Sequence, residues 1–382
     1  MPLWLLFAKI TAAPRPPLPG RQIHAPREHR QAAWPPLLPL FVKVKNVVFL
    51  YNLSITTLIQ SAKGTCKTMK NKPTSILILF LTAIIWGFAF VAQVSGGANL
   101  GTFYYNGIRF ILGAVSLLPV IFIFERGEKG KNKITYLSGM VAGLILFTAA
   151  NLQQWGINIT GSSGKAGFLT ALYTVIVPIF SAVFLKKRTN RNTWFGAILA
   201  LVGLFFILSG SMSSGDTPFF TAMLKIVTGG RTFGGTLTIG FGDVVLLLCA
   251  VAFAVHIVFI DYFNSSINPI RFSCTQFFTV GILSLIIAFF TETITANAVQ
   301  QALIPLLYGG IMSTGVAYTL QIIGQRGTHP TVSAIILSTE SMFAAIGGAL
   351  LLNERMTAAG YVGCVVILAG IMIAQIPVKG RS

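Results

Sequence analysis

The sequence predicts an all-α integral membrane protein of ten transmembrane helices, built as two five-helix repeats of inverted topology. Three observations predict it. The first is composition: 54% of the 382 residues are hydrophobic and 10% are charged, with a mean hydropathy of +0.76, whereas a soluble domain carries about 25% charged residues. The second is an internal repeat. Leu185-Lys-Lys-Arg188, Gly196 and Gly203 return at an offset of 167 residues (Leu185 to Leu352) as Leu352-Asn-Glu-Arg355, Gly363 and Gly370. Gln154 returns as Gln321, and Trp86-Gly87 as Phe253-Ala254, at the same offset. Ile108-Arg-Phe110 returns as Ile270-Arg-Phe272 at an offset of 162 (Ile108 to Ile270), which predicts a loop about five residues longer in one half. The third is the distribution of basic residues in the loops.

A spanning helix needs about 20 mostly apolar residues. Ten segments qualify: about 75–94, 103–124, 134–157, 165–185, 193–210, 241–262, 270–291, 299–321, 330–352 and 357–376. Small residues recur within them, as in Gly309-Gly310 and Gly347-Gly348. They allow close helix approach where lipid supplies no hydrophobic drive for pairing. With residue 70 inside, fourteen Lys and Arg fall in inner segments, against Lys165, Lys225, Arg231 and Arg355 in outer ones. This bias requires an even number of spans and puts both ends of the ten-helix body in the cytoplasm. Five spans per repeat is odd, so the second half enters the membrane inverted. That arrangement places a pseudo-two-fold axis in the membrane plane and a binding site near mid-depth.

The expected organisation is a basic, Pro-containing extension over 1–68, a first repeat over 69–210, an extracytoplasmic linker over 211–240, a second repeat over 241–376 and a cytoplasmic tail over 377–382. The extension holds no periodic pattern. Its readings are an upstream stretch before a start at Met69, a basic targeting region, or a partial span. The net charge of +19 comes largely from this extension and the inner loops. It indicates contact with the cytoplasmic leaflet, and no nucleic-acid partner is expected. Of the cysteines, Cys249, Cys274 and Cys364 sit in apolar runs without CxxC spacing and read as packing residues.

The ordered motifs Tyr318-Thr-Leu-Gln321, Gln325-Arg326, Pro330-Thr-Val-Ser-Ala334, Ser338-Thr-Glu-Ser341, Leu352-Asn-Glu-Arg-Met-Thr357, Gly363 and Gly370 resemble the second half of the drug/metabolite transporter superfamily, in its EamA-type ten-helix branch. Ile84-Ile-Trp-Gly-Phe-Ala-Phe90 is similar to the family's opening signature, as are Arg109-Phe110 and Gly242-Asp243 at their places. The resemblance implies ten helices, cytoplasmic termini, a central cavity and movement of small metabolites, often export of amino acids or related compounds across the plasma membrane. It implies no cofactor and no metal. Lys186-Lys187-Arg188 departs from the acid that many members carry after the fourth helix.

Ionisable groups inside spans are costly and point to function. Glu340 lies about ten residues into the ninth span. It reads as a proton-binding carboxylate, a partner for a substrate amine, or a buried group that fixes packing. Its repeat mate is Tyr173. His256 in the sixth span reads as a proton relay or a packing hydrogen-bonder. Arg109 and Arg271 match in the repeat at the 162 offset. Each lies near a helix start, from which it could snorkel to an interface. Arg109 lies deeper and is the candidate to pair with an acid or an anionic substrate group. Asn151, Gln154 and Asn158 share one face of the third span, and Tyr318 and Gln321 are the mates of Asn151 and Gln154. Amides in a span must face protein or water, so cavity lining and interhelix packing both stay open. Trp86 is a candidate to stack on substrate. Lys165 reads as an interfacial anchor, and Pro178 as the origin of a kink in the fourth span.

Chemistry of another class finds little support in the residues. HExxH, GxSxG and Walker A motifs are absent from the sequence, and Gly229-Gly-Arg-Thr-Phe-Gly-Gly235 lacks a Gly-Lys-Ser/Thr ending. The expectation is a non-enzymatic secondary transporter working by alternating access, with proton coupling as one mode and a facilitative channel or lipid translocator as the alternative. The expected partners are a small-molecule metabolite and the lipid bilayer, with the protein a monomer or homodimer.

Overall fold

A computed structural model describes residues 72–124, 132–187, 189–211, 240–352 and 358–376. The N-terminal extension, nearly all of the linker, the C-terminal tail, Cys66 and the loop residues Arg126, Lys225, Arg231 and Arg355 lie outside the described residues. Helices α1 (Lys72–Leu100), α2 (Thr102–Phe124), α3 (Asn132–Thr160), α4 (Ser163–Ala171), α5 (Tyr173–Phe184) and α6 (Arg191–Ser211) build the first half. The second half runs α7 (Phe241–Phe263), α8 (Pro269–Thr291), α9 (Ala296–Gln301), α10 (Leu303–Leu307), a π helix (Tyr308–Tyr318), α11 (Thr319–Gln325), α12 (Pro330–Leu337), α13 (Glu340–Leu351) and α14 (Ala358–Ala374). No strand occurs among the described residues. Eight helical segments are long and apolar enough to cross a membrane, and two shorter apolar helices, Arg191–Phe206 and Ala358–Ala374, stand in the fifth and tenth places. The outer surface exposes apolar side chains such as Leu137, Phe195, Phe289 and Val365, the composition a lipid-facing surface requires.

Helix ends obey one offset in three pairs of helices. Thr102 and Pro269 start α2 and α8, and Phe124 and Thr291 end them. Tyr173 and Glu340 start α5 and α13, and Arg191 and Ala358 start α6 and α14. Each pair is separated by the same 167 residues that separate Tyr173 from Glu340. The expected five-residue difference in loop length is therefore corrected, and so is the match between Arg109 and Arg271. The Ile-Arg-Phe tripeptide recurs out of register, and the position equivalent to Arg109 is Gln276. Three residues of identity carry less weight than a 23-residue helix whose two ends both coincide.

The contacts between mates establish the inverted arrangement. A Cβ built on Gly196 would stand 2.5 Å from the carbonyl oxygen of Gly370, and one on Gly203 would stand 2.6 Å from that of Gly363. Gly196 is the repeat mate of Gly363, and Gly203 of Gly370, so residue number rises along α6 as it falls along α14. The two helices are antiparallel and related by an axis perpendicular to both. The same crossing recurs between α2 and α8, where Gly107 meets Leu285 and Gly281 meets Ile111. At the centre, Thr174 Oγ1 donates to the Ala334 carbonyl at 3.4 Å, and its mate Ser341 Oγ donates to the Gly167 carbonyl, the mate of Ala334, at 2.7 Å.

The fourth and ninth spans are each broken in two. The breaks fall at Leu172 and at Ser338–Thr339, so Leu172 and its mate Thr339 both stand outside a helix. At both, the backbone turns through i→i+3 bonds: Leu172 N to Leu169 O at 3.4 Å, and Thr339 N to Ile336 O at 3.2 Å. Pro178, the expected cause of a kink, lies inside α5. It deprives the Thr174 carbonyl of a partner, two positions beyond the break, and its mate in α13 is Ala345. The break therefore comes from the crossing of the two spans. Pro178→Ala is accordingly expected to leave transport intact and the thermal midpoint equal or higher, because proline in a helix interior costs about 3 kcal/mol. A lost transport rate with an unchanged fold would assign the proline a hinge role.

Helices pack into two bodies joined at these crossings. One contains α3, α4, α5 and α7, and the other contains their mates: the π helix and its flanks, α12, α13 and α1. Two ion pairs tie the first body at opposite ends of the fourth and sixth spans, Lys165 to Asp243 at 2.9 Å and Lys187 to Asp261 at 2.5 Å. Lys165, read as an interfacial anchor, is thus a strut between helices. Both pairs join start to start and end to end, so these two spans run parallel, as an odd-numbered inverted repeat requires.

His329 caps α12 by accepting from the Thr331 amide through Nδ1 at 3.3 Å. Burial, with nearby Lys187, pushes its imidazole down to about 4 from 6.5. The folded state therefore prefers the neutral ring. Its contribution is present above pH 6.5 and is lost as pH falls toward 4. Thermal unfolding of the purified protein is expected to show a midpoint that drops over this window. His329→Asn, which keeps a cap acceptor, is expected to flatten the drop; an unaltered profile in the variant would remove His329 as its source.

Candidate functional site

A narrow cavity lies where the two bodies meet. Its walls are Trp86, Ala89, Phe90 and Gln93 of α1, with Arg109, Gln153, Thr170, Tyr173, Phe253, Ile257, Ser313, Tyr318, Gln321 and Glu340 from six other spans. Three pairs of repeat mates face each other across it: Trp86 with Phe253, Phe90 with Ile257, and Tyr173 with Glu340. The cavity therefore sits on the pseudo-two-fold axis, at the interface between repeats. Its volume of about 20 Å³ is room for roughly one water molecule. A metabolite enters only when the walls part.

Glu340 opens α13 directly after the break, so the interruption of the ninth span presents it at mid-length. It is buried, and Tyr173 Oη donates to its Oε1 at 3.0 Å. Tyr173 opens α5 after the matching break. This one hydrogen bond crosses the axis and joins the two bodies between the symmetric hydroxyl bonds of Thr174 and Ser341. A Cβ on Gly87 would meet the Glu340 carbonyl oxygen at 2.8 Å, so α1 backs directly onto the turn that carries the acid.

Arg109 neither snorkels nor pairs with an acid. It is 1% exposed. Its Nε donates to Asn106 Oδ1 at 2.8 Å, and its guanidinium lies 4.8 Å from the Phe110 ring centroid and 5.6 Å from that of Tyr105. Asn106 is fixed in turn, donating to the Ala150 carbonyl at 2.9 Å and to Asn151 Oδ1 at 3.0 Å. Arg109 Nη2 has no hydrogen-bond partner. Against the same wall lies the π helix, whose glycines Gly309 and Gly310 accommodate Tyr105 and the Arg109 backbone. The wide turns bring Ser313 to the cavity, and its carbonyl accepts from Trp86 Nε1 at 3.2 Å. Trp86 packs against Tyr318 at a tilt of 60°, with ring centroids 4.6 Å apart.

Three candidates from the sequence lie off the cavity wall. His256 bonds Gln276 Oε1 through Nε2 at 3.0 Å and meets Tyr318 edge-on, 6.3 Å between centroids, from behind. Asn151 donates to the Phe147 carbonyl at 2.8 Å and to Ser284 Oγ at 3.1 Å, and Gln154 donates to the Gln93 carbonyl at 3.0 Å and to Asn158 Oδ1 at 2.9 Å. Two of these bonds, to Ser284 and to the Gln93 carbonyl, cross to other helices, and the other two stay within α3. Trp86, Arg109, Tyr173, Tyr318, Gln321 and Glu340 do share the cavity. Gln93, Gln153, Thr170 and Ser313 also line it, without having been singled out as candidates. Gln93 was findable, since Trp86, Ala89, Phe90 and Gln93 follow the i, i+3, i+4, i+7 spacing of one helix face. Among the described residues no group of three or more His, Cys, Asp or Glu is placed to hold a metal, and no disulfide joins Cys249, Cys274 and Cys364.

The comparison that decides the family is a match to each half separately. The model of the EamA-like transporter family matches residues 73–209 and again 240–375. The chain belongs to the EamA-like transporter family. This EamA-like chain is 28% identical over 300 residues to an uncharacterized transporter of Archaeoglobus fulgidus, a match that covers 78% of this chain and 85% of the relative. It is 23% identical over 303 residues to the uncharacterized transporter YoaV of Bacillus subtilis, over 78% and 95% of the two chains. It is 22% identical over 302 residues to the glucose uptake protein GlcU of Staphylococcus xylosus, over 79% and 95%. A solved crystal structure superposes with a TM-score of 0.62 at 17% identity, covering 80% of this chain and 97% of the other, which is a likeness of fold. The EamA-like protein is a multi-pass membrane transporter of the drug/metabolite superfamily, and its substrate is a small molecule.

Proposed function

We propose that the protein is a secondary carrier of the plasma membrane that exports amino acids or related compounds by alternating access, driven by protons that bind Glu340. The observation that carries this reading is the position of Glu340. It is a buried carboxylate at the helix break on the repeat axis, hydrogen-bonded across the seam to Tyr173, on the wall of the central cavity. A proton or a cationic group arriving there acts on the bond between the two bodies, so binding and rocking are coupled at one atom pair. Loop charge supports cytoplasmic ends for the ten-helix body, with the 211–240 linker outside. Carriage by a monomer suffices, because both walls of the cavity come from one chain; a homodimer adds nothing to the site.

The test is uptake into proteoliposomes by the purified chain, screened over amino acids, amines and glucose, with and without an outward proton gradient (acidic lumen), the direction that drives uptake by exchange against protons. Concentrative uptake that collapses with the gradient is the expected result. Uptake indifferent to the gradient would make the protein a facilitator. Uptake of glucose alone would transfer the activity in the name of the Staphylococcus relative to this chain and remove the amino-acid reading.

A further inference from the structure

We infer that the carried molecule is a zwitterion with an apolar side chain, held with its carboxylate on Arg109 and its ammonium on Glu340. The inference rests on the carrier reading above and deepens it.

Arg109 is the first half of the argument. A guanidinium buried without a counter-charge is costly, and removing either member of a buried pair is strongly destabilising. Among the described residues the ion pairs are Lys165 with Asp243 and Lys187 with Asp261, and neither involves Arg109. The side chain is nonetheless held firmly, by Asn106 on one edge and two aromatic rings beside it, with Nη2 left unpartnered. A planar, pre-oriented fork with an unused donor is the geometry that receives a carboxylate.

The repeat shows that this opening is particular to one half. In the second half the position equivalent to Arg109 is Gln276, and its Oε1 is within 3.0 Å of His256 Nε2. The position equivalent to His256 is Ala89. Where one half fills the space with a histidine and bonds it, the other leaves a methyl group, and both Ala89 and Arg109 face the cavity. The cation is thus left on the cavity wall without the partner that the other half supplies.

Glu340 is the second half. It shares the cavity with Arg109, yet the two are not ion-paired. Opposite charges held apart on one wall system are satisfied together by a molecule carrying both complementary charges. Phe90, Phe253 and Ile257 supply the apolar remainder of the lining. Because the ammonium and a proton compete for the same carboxylate, loading of one requires departure of the other, which is the exchange an exporter needs.

The experiment uses the full chain in detergent, with leucine, isoamylamine (leucine without its carboxylate) and 4-methylpentanoate (leucine without its amine) as probes. Thermal stabilisation titrated against each is expected to give leucine an affinity roughly 10- to 100-fold above either fragment, the scale of one charge-assisted contact. Arg109→Gln is expected to erase the advantage of leucine over isoamylamine, and Arg109→Lys to recover part of it. Isoamylamine binding as tightly as leucine would overturn the proposal, and so would the failure of all twenty amino acids to bind. The wild-type ligand series needs no substitution, so a variant that does not fold leaves the test intact. Liposomes that concentrate an amine or a neutral solute and ignore leucine would remove the zwitterion and leave the carrier standing; liposomes that carry nothing would remove the carrier.

Discussion

Glu340→Gln is expected to abolish gradient-driven accumulation in proteoliposomes while the protein still folds. The amide is nearly isosteric with the carboxylate, and Tyr173 Oη, now 3.0 Å from Oε1, still finds an acceptor oxygen. Burying a neutral amide costs less than burying a charge, so the thermal midpoint is expected to stay level or rise. What disappears is a group that exchanges a proton or attracts an ammonium. Affinity for amine-bearing solutes is expected to fall by roughly 10- to 100-fold, the cost of one charge-assisted bond. The measurement is uptake under an imposed pH gradient, with the thermal midpoint recorded on the same preparation. A variant that accumulates substrate as the wild type does would reduce Glu340 to a packing residue. A variant that fails to fold would assign the carboxylate to the seam between the bodies.

The second large effect belongs to the glycine seam. Gly203→Val is expected to lower stability by about 3 kcal/mol, at the upper end of overpacking costs. The first added carbon would stand 2.6 Å from the Gly363 carbonyl oxygen and 2.7 Å from Ile367 Cγ1. The obstacle is backbone, so no rotamer change relieves it, and α6 must separate from α14. The same geometry holds at Gly196, whose Cβ would meet the Gly370 carbonyl oxygen at 2.5 Å. These helices pack chiefly on each other, and without a hydrophobic drive in lipid, close backbone approach is what associates them. Gly240→Ala is the control: its Cβ would meet nothing nearer than Asp243 Oδ2 at 3.7 Å, and its cost is expected to stay under about 1 kcal/mol. Equal losses at both positions would show that the cost at Gly203 does not come from the seam.

Several features were legible because they are written in periodicity and composition. Apolar runs mark spans wherever lipid is the solvent. Gly196, Gly203, Gly363 and Gly370 recur because antiparallel mates must touch twice by symmetry. The pairing of Tyr173 with Glu340 followed from the offset, and the structure places the two in a hydrogen bond. The tripeptide around Arg109 misled for a physical reason as well: Arg271 sits in the first turn of α8 and is only partly buried, whereas Arg109 lies two turns into α2 and is buried, so a likeness in letters joins residues with different surroundings. The helix breaks were illegible. Leu172 and Thr339 carry no proline or glycine, and the turns there exist because two spans cross and exchange hydroxyl bonds with each other's carbonyls.

By itself the sequence determined the repeat, its inversion, the ten apolar segments and the family, because each depends on residue type at regular spacing in a solvent that tolerates little else. Tertiary structure alone decided which polar residues face the cavity. Asn151 and Gln154 are carboxamides like Gln93, Gln153 and Gln321, yet only the last three line the cavity. His256 found Gln276, and Asn151 found Asn106 and Ser284, whereas Arg109 Nη2 is left without a hydrogen-bond partner. Hydrogen-bond satisfaction is a property of packed pairs, so no single helix pattern contains it.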